Sequence, residues 1–414
     1  MSTSLTVAPG VARTCSAHLV ICLIILLIGF APEGPLRKSL RNMRAPEWNR
    51  VDRDKHAVGY YVGLIDGGAT GRDPLSRRLM GEPSDWSDFH SIRAVEFLPG
   101  DPLQFRLRPD ITRVVFGKPF TTNSEGLRDH PTSRAKPPGV FRIALLGSSI
   151  DMGWGVGDEE TYENRLEVWL NKQAKRRGLT RTFEIQNFAM AAYSPLHRVL
   201  HYERVVRDFD PDLVLYAATM LDPRLLEIHL AGLLREGVSP SDPFIESEYA
   251  RVGIGFSDFA SAVDPRTTAA PDEKNAWKSK LRPLLLPFID HLTERLAAQA
   301  RAEGRMLGIL LVPRASESTA SRERSRSVAH FRQLADKHRL PLVVLTHLFD
   351  RFDQADIGIA PWDDHPNARG HELLYKHLAH ELMAEPALAQ VLFPPSPEPE
   401  SVRSQANSVE EFSR

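Results

Sequence analysis

Two short segments far apart in the chain hold the side chains best suited to covalent chemistry. Phe141-Arg-Ile-Ala-Leu-Leu-Gly-Ser-Ser-Ile150 is an apolar run that stops at a glycine and two adjacent hydroxyls, and Asp363-Asp-His-Pro-Asn367 sets an imidazole beside two carboxylates. A serine hydroxyl is a poor nucleophile until a positioned imidazole takes its proton. The imidazole in turn needs a group that fixes its tautomer and supports its charge. Ser149, His365 and one of Asp363 or Asp364 are therefore candidates for nucleophile, general base and orienting acid. Each segment alone is weak, because strands commonly end in Gly-Ser turns and loop histidines beside acids are frequent. Together, and in this order, they predict acyl chemistry on a serine.

Gly147-Ser-Ser149-Ile-Asp-Met-Gly153-Trp-Gly155-Val156 and Asp363-Asp-His365-Pro-Asn367-Ala-Arg-Gly370-His371 resemble blocks of the SGNH, or GDSL-type, hydrolase superfamily. A family-like lead-in stands at Thr122-Asn-Ser-Glu-Gly-Leu-Arg128, and the resemblance runs from Pro137 to Leu382. It implies Ser149 as nucleophile, with Ser148 where the family has aspartate. In the family the acid precedes the histidine by three positions; here position 362 is Trp, so the acid is Asp363 or Asp364. The implied oxyanion donors are the N–H of Ser149, the N–H of Ala192 at a family glycine position, and a side chain at a family asparagine position. That last position is Leu221, which has no donor, so either the site is weakened, or a neighbour such as Thr219 substitutes, or the chain is a non-catalytic member.

The resemblance thus implies a serine esterase that removes acetyl or other short acyl groups from a carbohydrate or lipid, without cofactor or metal. An O-acyltransferase modifying an envelope polysaccharide, or a catalytically silent binding protein, are the other readings. His197-Arg-Val-Leu-His201 has two imidazoles at helical spacing, but Arg198 stands where a metalloprotease motif needs glutamate, so a polar helix surface is expected. Gly153-Trp-Gly155-Val-Gly157 lacks the dinucleotide-binding spacing, and Trp154 reads as a packing residue.

The elements that must position these groups alternate. Short Val, Ile and Leu-rich runs at 142–146, 183–187, 212–217, 306–312 and 341–345 read as buried parallel strands. Helical stretches at 162–177, 194–208, 274–304, 321–338 and 368–383 fall between and after them. The pattern predicts a three-layer α/β/α fold with a mostly parallel five-stranded sheet, whose sites gather at the carboxyl ends of strands, where Ser149 falls. The domain is expected over 137–385, with an irregular insertion at 224–275 and a Pro, Ser and Glu-rich disordered tail at 386–414. A small, partly irregular lead-in is expected at 32–136, with a short helix at 57–65 and strands near 105–108 and 113–116.

With 414 residues, 42% of them hydrophobic, the chain can bury a sizeable core, and a net charge of −1 supplies no basic field for nucleic acid. Cys15 and Cys22 are its two cysteines, so neither a disulfide framework nor a cysteine zinc site is available to the main domain. Residues 17–31 are apolar apart from His18 and read as a membrane anchor after a tail at 1–16, somewhat short of the about 20 residues a perpendicular span prefers. The family resemblance implies an extracytoplasmic domain on a single-pass cytoplasmic-membrane anchor, whereas the basic residues Arg37, Lys38, Arg41 and Arg44 would favour the opposite orientation.

Overall fold

The computed structural model describes Phe89 and residues 92–255, 279–315 and 322–395. Its centre is a five-stranded sheet in which every neighbouring pair is parallel. The strands are β5 (Val140–Leu146), β6 (Thr182–Asn187), β7 (Leu213–Ala218), β8 (Met306–Leu311) and β9 (Leu342–Val344), in the spatial order β6-β5-β7-β8-β9. They match the predicted runs, because a strand buried on both faces reads as continuous hydrophobicity. In β5 the side chains of Phe141, Ile143 and Leu145 face one helical layer and join a core with Leu166, Leu170, Leu374 and Leu378. Helices α2 (Tyr162–Arg176) and α9 (Ala368–Ala384) pack together in that layer. Helix α6 (Leu285–Ala302) packs with α3 (Pro195–Arg204) and α4 (Asp222–Glu236) in a second cluster. The short α1 (Ser149–Met152) lies at the carboxyl end of β5.

Before the sheet, the lead-in forms two hairpins, β1 (Val95–Phe97) with β2 (Phe105–Leu107), and β3 (Thr112–Val115) with β4 (Lys118–Thr121). Trp154 is buried against it, edge-on to Phe89 and Phe116 with ring centroids 5.4 and 5.5 Å away.

Three expectations need correction. The stretch read as an irregular insertion at 224–275 contains most of the 15-residue α4 and all of α5 (Pro243–Arg251). Pro223 and Pro243 stand in first turns, where a missing N–H costs nothing, and Leu225, Leu226, Leu230, Leu233 and Leu234 bury one side of α4. The tail expected from 386 begins with helix α10 (Pro386–Leu392), whose Leu388 and Leu392 are fully buried. His197 and Arg198 lie inside the protein and not on a polar helix surface: Arg198 makes a two-pronged ion pair with Asp222, at 2.7 and 3.0 Å, and both are completely buried. The expected anchor at 17–31 and the helix at 57–65 lie outside the described residues. Among the described residues no helix is long and apolar enough to cross a membrane.

Candidate active site

β5 ends at Gly147 because the chain must fold back at once. A Cβ there would fall 2.3 Å from the Asp151 carboxylate, which comes close to accept the Ser148 N–H at 2.7 Å. That bond starts α1, and Ser149 is its first residue. Burial pushes the Asp151 carboxyl up to about 6 against its hydrogen bonds from Ser148 and the Tyr162 hydroxyl, the latter at 2.7 Å.

His365 reaches the same point from the other end of the domain. It lies on β11 (Asp363–Pro366), which pairs antiparallel with β10 (Gly358–Ala360), so the Asp/His loop read from sequence is one arm of a hairpin. Asn367 locks the exit. Its side-chain oxygen accepts the N–H groups of Arg369 and Gly370 to cap α9, while its amide donates to the Gly358 and Asp356 carbonyls.

The geometry separates the two acids. His365 Nε2 is 2.7 Å from Ser149 Oγ, and His365 Nδ1 is 2.5 Å from Asp363 Oδ1. Asp363 also accepts the backbone N–H of His365 at 3.2 Å. Asp364 is paired elsewhere: its carboxylate is 2.9 Å from Arg314 Nη1, although a carboxylate oxygen of it lies within 4.8 Å of ligand atoms of Asp363 and His365. Burial disfavours a charged imidazole at His365, but the Asp363 carboxylate outweighs it, with Asp364 adding, and the pKa is raised above the ordinary histidine value. Ser149 is 1% exposed and His365 5%, so these charges act in a poorly solvated space.

Of the expected oxyanion residues, Ala192 is fully buried with φ +64°, a left-handed backbone that a Cβ tolerates at a cost of about 1 kcal/mol. Among the described residues no backbone acceptor takes its N–H. Thr219 is turned elsewhere: its hydroxyl donates to Asp222 Oδ1 at 3.3 Å and accepts the Leu221 N–H at 3.2 Å. Leu221 precedes the first turn of α4.

Residues that sequence reasoning missed sit around this core. Arg314, in the segment after β8, pairs with the Asp364 carboxylate. His371 Nδ1 accepts the Tyr162 N–H at 3.1 Å, tying α9 to α2, and burial pushes that imidazole down to about 3. The i, i+6 spacing of His365 and His371 gave no hint of this, because the partner lies 209 residues earlier.

No protein-family model matches this chain, and no curated protein does. Similar solved structures include a two-domain esterase active on acetylated mannans, 16% identical over 63% of this chain and 52% of the other, at a TM-score of 0.35. This chain therefore spans about half the length of that protein. A catalytic mutant of an acetylxylan esterase from Geobacillus stearothermophilus is 12% identical over 60% of this chain and 96% of the other, at 0.38. An esterase from Pseudoalteromonas sp. is 10% identical over 59% and 97%, at 0.35. At scores this low, the chemistry rests on this chain's own residues.

Proposed function

We propose that the chain is a serine esterase that releases acetyl or other short acyl groups from a carbohydrate or lipid through an acyl-enzyme on Ser149. The observation that carries the reading is the relay of Ser149 Oγ, His365 and Asp363, with contacts of 2.7 and 2.5 Å. His365 Nε2 takes the hydroxyl proton as Oγ attacks the ester carbonyl, and Asp363 holds the Nδ1–H and supports the imidazolium. The N–H groups of Ser149 and Ala192 receive the oxyanion, with no side-chain donor from Leu221. The imidazolium then protonates the leaving alcohol, and His365 next deprotonates the water that hydrolyses the acyl-enzyme.

Residues 17–31 would anchor this domain to the cytoplasmic membrane, with the domain outside. A second reading, an O-acyltransferase, is favoured by the burial of Ser149: a site that keeps bulk water from the acyl-enzyme suits capture by a second hydroxyl. Turnover of an acetyl ester with and without an oligosaccharide acceptor tests both. Acetate release above the Ser149→Ala background supports the esterase, and acetylated acceptor supports the transferase. A folded protein that gives neither contradicts both.

A further inference from the structure

Helix α1 is four residues long, one turn, too short to hold its own geometry against the entropy of nucleation. Ser149 begins it, so the aim of the hydroxyl depends on what grips the turn from outside. Three consecutive carbonyls at its far end, those of Asp151, Met152 and Gly153, are all taken by side chains. Asn187, the last residue of β6, donates its amide to Asp151 O at 2.9 Å. Arg128 donates Nη1 to Met152 O at 3.1 Å and also to Gly153 O. Its Nη2 reaches Val156 O at 2.6 Å, and its Nε reaches Asp158 Oδ1 at 3.1 Å.

Arg128 is 2% exposed and lies over the Phe120 ring at 4.5 Å. The next residue, Asp129, accepts the backbone N–H of Asn187 at 2.9 Å, so adjacent lead-in side chains address both the nucleophile turn and the strand end beside it.

The segment that carries them is itself built. Asn123 Oδ1 accepts the N–H groups of Glu125 and Leu127, both at 3.0 Å. Gly126 has φ +76°, and a Cβ there would stand 2.9 Å from the Leu107 carbonyl oxygen. This accounts for Thr122-Asn-Ser-Glu-Gly-Leu-Arg128, a motif that the relay of Ser149, His365 and Asp363 does not use.

We propose that Arg128 and Asp129 are positioning residues for the nucleophile, so that the lead-in completes the active site. The inference rests on the serine reading above for its kinetic readout, and on the hydrogen-bond geometry for its spectroscopic one. Lysine at 128 keeps the charge but cannot reproduce the planar fork that meets several carbonyls at once. A displacement of about 1 Å at a reacting atom costs on the order of a hundredfold in rate.

The test uses the full chain with Arg128→Lys and, as a milder change, Asp129→Asn. Two quantities are read on folded protein: the rate of fluorophosphonate labelling, and the 15N shift of His365 Nε2, which reports its hydrogen bond with Ser149. Arg128→Lys is expected to slow labelling by about a hundredfold and to move the Nε2 resonance, while Asp129→Asn retains an acceptor and changes both less. If Arg128→Lys fails to fold, a slowed rate and a shifted resonance in Asp129→Asn support the inference, and unchanged values overturn it. If the starting protein does not label but the resonance moves in the variant, positioning stands and the esterase reading fails. Folded Arg128→Lys with lowered thermal stability but unchanged labelling and resonance would show a structural arginine only.

Discussion

Among the described residues two buried serines, Ser149 and Ser194, contact imidazoles, and their difference shows what contact alone does not supply. Ser149 Oγ is 2.7 Å from His365 Nε2, and Ser194 Oγ is 2.8 Å from His229 Nδ1. Each imidazole is oriented through its other nitrogen. For His365 the partner is the Asp363 carboxylate; for His229 it is the backbone carbonyl of Pro102, at 2.8 Å. A carbonyl fixes the tautomer but brings only a dipole to an imidazole that must become charged when it takes a proton.

The titrations diverge accordingly. His365 is raised, whereas burial pushes His229 down to about 3. The His229 ring also stacks on His197, centroids 3.4 Å apart, and burial and the His229 charge lower the His197 pKa as well. Ser194 is fully buried and caps α3 by accepting the His197 N–H, so its hydroxyl is a structural device.

The largest expected effect that sharpens this contrast is Asp363→Asn, which leaves His365 with an orienting group as uncharged as that of His229. Acyl turnover should fall by about ten-thousandfold, with Asp364→Asn far milder because Asp364 faces Arg314. Steady-state kinetics of the two variants would check it; equal losses would undo the assignment of the acid.

Leu221→Asn is expected to raise turnover by up to about a hundredfold if the new amide reaches the oxyanion, since one such donor contributes about 3 kcal/mol. The rise should vanish in combination with Ser149→Ala. The same amide should leave Ser194 silent, because its hydroxyl is engaged by His229 and by the His197 N–H.

The pH response should also separate the pairs. Turnover needs neutral His365, so kcat/KM is expected to fall as pH drops through a midpoint above the ordinary histidine value. In a proton NMR titration His229 should stay neutral to about pH 3. Because its folded pKa is depressed, the stability His229 contributes is complete above about 6.5 and is lost as pH falls toward the folded value. His229 titrating together with His365 would erase the distinction.

The smallest effect is Ser194→Ala. Removing the cap and leaving His229 Nδ1 without its donor should cost about 1–3 kcal/mol in chemical denaturation, with turnover per folded molecule unchanged. A loss of chemistry without a loss of stability would reverse the two roles.

Much of this was legible in the sequence because the sheet is buried on both faces. The five strands and the strand-end position of Ser149 follow from runs such as Val140–Leu146 and Leu213–Ala218, whose hydrophobicity is continuous. The choice between Asp363 and Asp364 was not legible. It depends on which carboxylate reaches His365 Nδ1 and on Arg314, 50 residues away. Helix α4 was hidden by Pro223 and the Ser- and Asp-containing stretch that follows it, although its leucine spacing was present. The burial of Arg198 depends on Asp222, 24 residues on, and no local pattern marks such a pair. Likewise Thr219 looked available until Asp222 took its hydroxyl proton.

On the proposed reading Ser149 is activated and Ser194 is not. The most direct test is to treat the folded chain with a fluorophosphonate and map the adduct by peptide mass spectrometry. One adduct is expected, on Ser149, absent in Ser149→Ala and unaffected by Ser194→Ala. An adduct on Ser194, or no adduct on folded protein, would contradict it.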